Sequence, residues 1–142
     1  MIPADLDRIS RVLPWLYVGS YGAAENVEYL RAEGITHAVC LLDRAPDQLS
    51  VLPSVCLSAS DHGESDLGAL LARALPLIEE ARETRGRVLV FCALGVNRSP
   101  ALAAAYLRVV LGDSTSQALE RISASRPFIS LHEKYLTQLE RL

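Results

Sequence analysis

Cys92 and Arg98 bracket a short segment, Cys92-Ala93-Leu94-Gly95-Val96-Asn97-Arg98, whose residue types combine a nucleophile with an anion-binding fork. The apolar, β-type run Val88–Phe91 feeds into the cysteine, and Ser99-Pro100 leads out of the arginine into an alanine-rich helical stretch. A strand, a tight loop and a helix in that order build an anion site. Backbone N–H groups of the loop converge on one point, and the helix behind adds the positive end of its dipole. A cysteine at the rim of such a site is held as thiolate, because the field that attracts phosphate also stabilises S⁻. Arg98 offers a planar pair of donors to two phosphate oxygens. Gly95 supplies the backbone freedom the loop needs, and Pro100 suits a first helical turn. The chemistry these residues allow is transfer of a phosphoryl group onto sulfur.

The elements that must position this loop can be read on either side of it. Ile9 to Gly19 reads as two short strands around Pro14, and Ala23 to Glu33 as a helix closed by Gly34. Ile35 to Leu42 is a continuous apolar strand of the kind buried on both faces, and Val55 to Ala59 is another. Asp61 to Asp66 is polar loop, Leu67 to Thr84 a long helix, and Gly86 separates that helix from the Val88–Phe91 strand. Pro100 to Leu111, Ser116 to Ser125 and Leu131 to Leu142 are helical. Strands alternating with helices predict an α/β fold, a central and mostly parallel sheet of about five strands with helices on both faces. Ligands of such sheets sit at the carboxyl ends of the strands, where Cys92 falls.

Length and composition narrow the class further. The 142 residues, half of them hydrophobic, are read as one domain, 1–142, with a single well-filled core. A net charge of −3 advertises no surface for nucleic acid or anionic lipid. Cys40, Cys56 and Cys92 are too few for a disulfide framework, and no cysteine or histidine pair has zinc spacing, so neither metal nor cofactor is expected. Asp5, Asp7, Arg8 and Arg11 interrupt any leader-like apolar segment, and Pro100–Leu111 is too short to span a bilayer. A reducing cytosol or nucleus is the expected compartment. The N-terminal strands offer a surface on which two copies could pair, which leaves monomer and weak dimer both open.

Cys-x5-Arg-Ser, with Gly at the fourth position and a strand before it, resembles the signature of the cysteine-dependent protein tyrosine phosphatase superfamily. Leu16-Tyr17-Val18-Gly19-Ser20 with Ala24-Glu25-Asn26 is similar to the opening of dual-specificity phosphatases, as is Gly34-Ile35-Thr36-His37. Ser125-Arg126-Pro127-Phe128-Ile129 and Tyr135-Leu136-Thr137-Gln138-Leu139 resemble that family's closing segments. The likeness is to a small, atypical member without an added kinase-docking domain.

The resemblance implies roles. Cys92 would attack phosphorus in line to give a cysteinyl-phosphate that water later hydrolyses. Ala93, Leu94, Gly95, Val96 and Asn97 would cradle the phosphate, and Arg98 would hold its equatorial oxygens. Ser99 would donate a hydrogen bond to the sulfur, serve as the helix N-cap, or do both. Asp61 stands where this family places its general acid, and a carboxyl group beside a phosphate dianion has reason to keep its proton. Glu64 and Asp66 are rivals in the same loop, Asp66 being also the natural N-cap of the Leu67 helix, and His62 reads as a solvated neighbour. Cys40 is either a small buried hydrophobe or a reversible disulfide partner of Cys92, and Cys56 reads as core. Arg126 either braces the loop from behind or lies on the surface.

One departure stands out. The family usually places His immediately before the nucleophile; this chain has Phe91, which cannot donate a hydrogen bond. Weakened catalysis is the expectation, with a phospho-residue binding pseudophosphatase as the alternative. The variable loop positions Ala93, Leu94, Val96 and Asn97 include no base, unlike phosphoinositide-directed relatives. RNA 5′-triphosphatase relatives can carry Asn before the Arg, but they would want a cationic channel that this acidic chain lacks. The expected partner is therefore a phosphoprotein, with phosphotyrosine and phosphoserine/threonine both accepted in a shallow cleft.

Overall fold

A computed structural model describes residues 6–142; Asp5 and the first residues of the expected 1–142 domain lie outside the described residues. Five strands form one sheet: β1 (Ser10–Leu13), β2 (Leu16–Ser20), β3 (His37–Cys40), β4 (Ser54–Cys56) and β5 (Val88–Cys92). Their spatial order is β1-β2-β5-β3-β4, so the strand that ends on Cys92 is central. Only the β1–β2 pair is antiparallel; β2–β5, β5–β3 and β3–β4 are parallel. The predicted α/β architecture is the observed one.

Side-chain alternation along the strands separates two apolar layers. Val88, Val90 and Cys92 of β5 face a cluster with Val39, Leu41, Leu71, Ala74, Ile78, Leu102 and Tyr106. That layer is closed by α3 (Leu67–Glu83), α4 (Arg98–Val110), α5 (Thr115–Ser125) and α6 (Glu133–Glu140). Leu89 and Phe91 face the other way, onto Tyr17, Ala24, Leu30, Cys40 and Leu49. This second layer is covered by α1 (Tyr21–Ala24), α2 (Val27–Ala32) and a 3₁₀ turn at Asp47–Val51. Burying one Leu, Ile or Phe side chain contributes about 1.5–3 kcal/mol, against about 1 kcal/mol net for a hydrogen bond. The two layers and the two parallel ladders thus hold β5 together, with comparable contributions.

Several elements differ from expectation. The helix read over Ala23–Glu33 is two short helices, because Asn26 turns its side chain back to accept from Tyr29 N (3.1 Å) and starts α2 afresh. Gly34 closes α2 with φ +77°, as expected of a C-terminal cap. The strand read over Ile35–Leu42 keeps only its central four residues, and that over Val55–Ala59 becomes the edge strand Ser54–Cys56. Cys56 is exposed at that edge rather than part of the core. Between β3 and β4 the 3₁₀ turn at Asp47–Val51 buries Leu49. The three C-terminal helices match closely: Ser114 caps α5 in a reciprocal box with Gln117, and His132 caps α6. No described helix is long and apolar enough to cross a membrane.

Candidate active site

The segment Ala93–Asn97 leaves the carboxyl end of the central strand and closes on the first turn of α4. Each of its carbonyls is held from outside. Tyr21 N donates to Ala93 O (3.1 Å), Ser130 N to Val96 O (2.8 Å) and Ala101 N to Asn97 O (3.0 Å). Arg126 takes the remaining two, with Nη2 donating to Leu94 O (3.0 Å) and Nε to Gly95 O (2.7 Å). With the carbonyls turned outward, the peptide planes direct their N–H groups to the concave side, where the amides of 94–97 donate to no acceptor among the described residues. Gly95 is the pivot: its φ is +69°, and a Cβ there would meet Gly19 O at 2.7 Å and Arg126 Nη2 at 2.5 Å.

Arg126 is fully buried. Besides the loop carbonyls it donates to Leu6 O (2.8 Å), Arg8 O (2.7 Å) and Ser10 Oγ (3.0 Å), and its guanidinium stacks 4.6 Å from the Phe128 ring centre. Burial pushes its pKa down, while attraction to Cys92, Tyr29 and Asp7 works the other way. Of the two positions considered for this residue, the one behind the loop is observed.

Cys92 itself is 2% exposed at the floor of the ring. Ser99 N donates to its Sγ (3.4 Å), and Ser99 Oγ lies 3.2 Å from the same sulfur. Ser99 Oγ also reaches Gly19 O (3.4 Å), so its single proton has two acceptors and turns toward whichever carries more charge. Ser99 is not the N-cap. Asn97 occupies that position, and Ser99 sits inside the first turn with its hydroxyl committed to the sulfur. Arg98 lies alongside, 15% exposed, with Nη1 donating to Ala59 O at 3.5 Å. Its Nε is buried and 3.4 Å from Asp61 Oδ1, without hydrogen-bond alignment, so this donor is unsatisfied.

Of the three acidic candidates, Asp61 alone meets the signature segment. Asn97 Nδ2 donates to both Asp61 O (2.8 Å) and Asp61 Oδ1 (2.9 Å), while Asn97 Oδ1 accepts from His132 N (2.7 Å). Asp66 is turned away to cap α3, accepting from Ala69 N (3.1 Å), and Glu64 is exposed. The loop that carries Asp61 is fastened by α6. Tyr135 Oη donates to Ser60 O. Gln138 Nε2 donates to Ser65 O (2.7 Å) and Gly63 O (3.2 Å), and Gln138 Oε1 accepts from Leu67 N (2.8 Å). Burial pushes the Tyr135 phenol pKa up, which keeps it a donor. Sequence reasoning missed the parts played by Asn97, Tyr135 and Gln138 here; for the last two, the family-like closing segment was the available signal.

Cys40 does not share a face with Cys92. It is in register with Phe91 and packs in the opposite layer. Phe91 points into that layer too, away from the sulfur, and the ring of outward carbonyls closes without it. No cluster of three or more His, Cys, Asp or Glu side chains able to hold a metal occurs among the described residues.

A family model, the dual specificity phosphatase catalytic domain, matches residues 16–142, and the chain belongs to that family. Dual specificity protein phosphatase 22-A of Danio rerio is 29% identical over 132 residues, spanning 93% of this chain and 64% of that relative. Dual specificity protein phosphatase 15 of Mus musculus is 30% identical over 132 residues, spanning 93% of this chain and 56% of its own length. The chain thus covers less than two thirds of both relatives. Among solved structures, human DUSP28 superposes with a TM-score of 0.84 at 29% identity, covering 94% of this chain and 90% of that one. DUSP15 superposes at 0.86 with 26% identity, covering 94% and 85%.

Replacing Arg126 by Met keeps the volume and leaves the carbonyls of Leu94 and Gly95 without donors. Orphaned buried acceptors cost about 1–3 kcal/mol each, so the substitution should lower unfolding free energy by roughly 3 kcal/mol or more in urea titrations. A loss below about 0.5 kcal/mol would show that the loop holds its shape unaided.

Proposed function

We propose that this chain is a cysteine-dependent dual-specificity protein phosphatase, acting as a single catalytic domain that hydrolyses phosphotyrosine and phosphoserine/phosphothreonine through a cysteinyl-phosphate. The observation that carries the reading is the loop over Cys92, with every carbonyl of Ala93–Asn97 tied outward and an unsatisfied Arg98 Nε beside it. Such a ring suits three equatorial phosphoryl oxygens and the charge that develops on them.

In the first step Cys92 Sγ attacks phosphorus, a P–S bond forms, and the ester P–O bond opposite breaks. The departing oxygen takes its proton from Asp61. Asn97 Nδ2 and Arg98 Nε both approach Asp61 Oδ1, which reserves Oδ2 as the oxygen that carries the proton. In the second step Asp61 accepts a proton from water as its oxygen attacks phosphorus. The P–S bond breaks, inorganic phosphate leaves, and the Ser99 hydroxyl turns to the departing thiolate. Substitution of His by Phe91 does not by itself argue for a mere phosphate-binding module, since Phe91 faces the far layer and the sulfur keeps both Ser99 contacts. The favoured substrate is a phosphoprotein, because the rim residue Leu94 is apolar and exposed and the loop carries no extra cation for a polyphosphorylated ligand. Three free thiols fit a reducing compartment such as cytosol or nucleus.

The test is turnover of phosphotyrosine and phosphothreonine peptides. Cys92→Ser should abolish it, and Asp61→Asn should slow release of poor leaving groups roughly 100-fold while sparing activated aryl phosphates. Equal near-zero rates for the natural chain and Cys92→Ser, with phosphate binding retained, would establish the binding module instead. Asn97→Ala should lower kcat roughly 10-fold on phosphotyrosine peptides and barely change it on activated esters, because only proton delivery is misplaced. Phe91→His should leave turnover per folded molecule unchanged, because position 91 faces the layer away from the sulfur; a faster rate would show that a donor at that position limits catalysis.

A further inference from the structure

Two thiols lie together on the face of the sheet that the phosphate site does not use. Cys40 of β3 and Cys56 of β4 are register partners in a parallel pair, so their side chains project to the same side. Adjacent strands run about 4.8 Å apart, within the Cα separation of about 4.4–6.8 Å that a disulfide accepts. Both thiols converge on one carbonyl: Cys56 Sγ donates to Leu42 O at 3.4 Å, and Cys40 Sγ reaches the same oxygen at 3.7 Å. Leu42 N returns a bond to Cys40 Sγ (3.4 Å), which holds that sulfur in place. Cys56 is exposed and Cys40 is buried. Cys92, by contrast, belongs to the opposite layer.

We propose that Cys40 and Cys56 are a redox-modification site, closing to a reversible intramolecular disulfide when the protein meets a peroxide. The exposed Cys56 thiol reacts first. Its sulfur attacks the O–O bond of hydrogen peroxide, giving Cys56 sulfenic acid and water. The Cys40 thiol then attacks that sulfur, an S–S bond forms, and a second water carries away the hydroxyl with the Cys40 proton. Two thiols and one peroxide yield one disulfide and two waters, the thiols surrendering two electrons to the peroxide oxygen. Burial pushes the Cys40 thiol up to about 12, and its neighbour Cys56 adds to the rise, so Cys40 is the slow resolving partner and not the sensor. Cys92 is left without a resolving thiol from this strand.

The experiment exposes the 142-residue Cys92→Ser chain to hydrogen peroxide, alkylates under denaturing conditions, and measures intact mass and peptide linkage. Free thiols should fall from two to none, the mass should drop by two hydrogens, a Cys40–Cys56 linked peptide should appear, and dithiothreitol should reverse all of this. Cys56→Ser in the natural chain should abolish the two-hydrogen loss; since Cys56 is exposed on an edge strand, folding should survive and is checked by circular dichroism. In the natural chain treated in the same way, a Cys40–Cys92 linked peptide in place of the Cys40–Cys56 one would overturn the assignment. So would Cys56 advancing to sulfinic acid while Cys40 remains fully alkylatable.

Discussion

A single buried guanidinium organises the site. Arg126 lies far along the chain from the signature segment, yet it fixes two of that segment's carbonyls and ties them to the backbone at Leu6 and Arg8. Removing such a charge from water costs several kcal/mol, and the five hydrogen bonds it makes are what offset that cost. The carbonyls held outward leave the amides of 94–97 without partners among the described residues. A ring of donors that cannot satisfy one another is a ring that attracts an anion, so the anion-attracting character of the front is set by a cation behind it.

A second chain of restraints runs through the last helix. Tyr135 and Gln138 fix the loop from Ser60 to Leu67, and His132 N fixes Asn97, which in turn fixes Asp61. Arg126 therefore sets the loop over the sulfur, while α6 sets the carboxyl group opposite. The two arrangements meet at Asn97 and Arg98, adjacent in sequence and different in task.

Much of this was legible in the amino-acid sequence. The strand–Cys–loop–Arg–helix order is a local pattern, and local patterns carry their own geometry: Gly95 needs φ near +69°, and Pro100 needs a first turn. The alternation of strands and helices likewise implied the sheet. What escaped reading was non-local. The division of the 23–33 helix is the exception, since Asn26 is a favoured N-cap type whose local signal was outweighed by the helical pattern around it. Cys56 looks apolar in composition, and only the strand order places it on an edge. Cys40 and Cys92 looked like possible partners until register put them on opposite faces. Asn97 read as a variable loop position, since its two partners come from segments distant in the chain.

The fastening of the Asp61 loop by Tyr135 and Gln138 has a consequence for selectivity. A carboxyl group whose loop is fastened in this way has little closing motion left whose energy a correct substrate could supply and a wrong one could not. Induced fit is therefore a poor source of discrimination in this cleft. Preference among ligands must then come from static features, the contacts at the lip of the site, where Leu94 stands exposed.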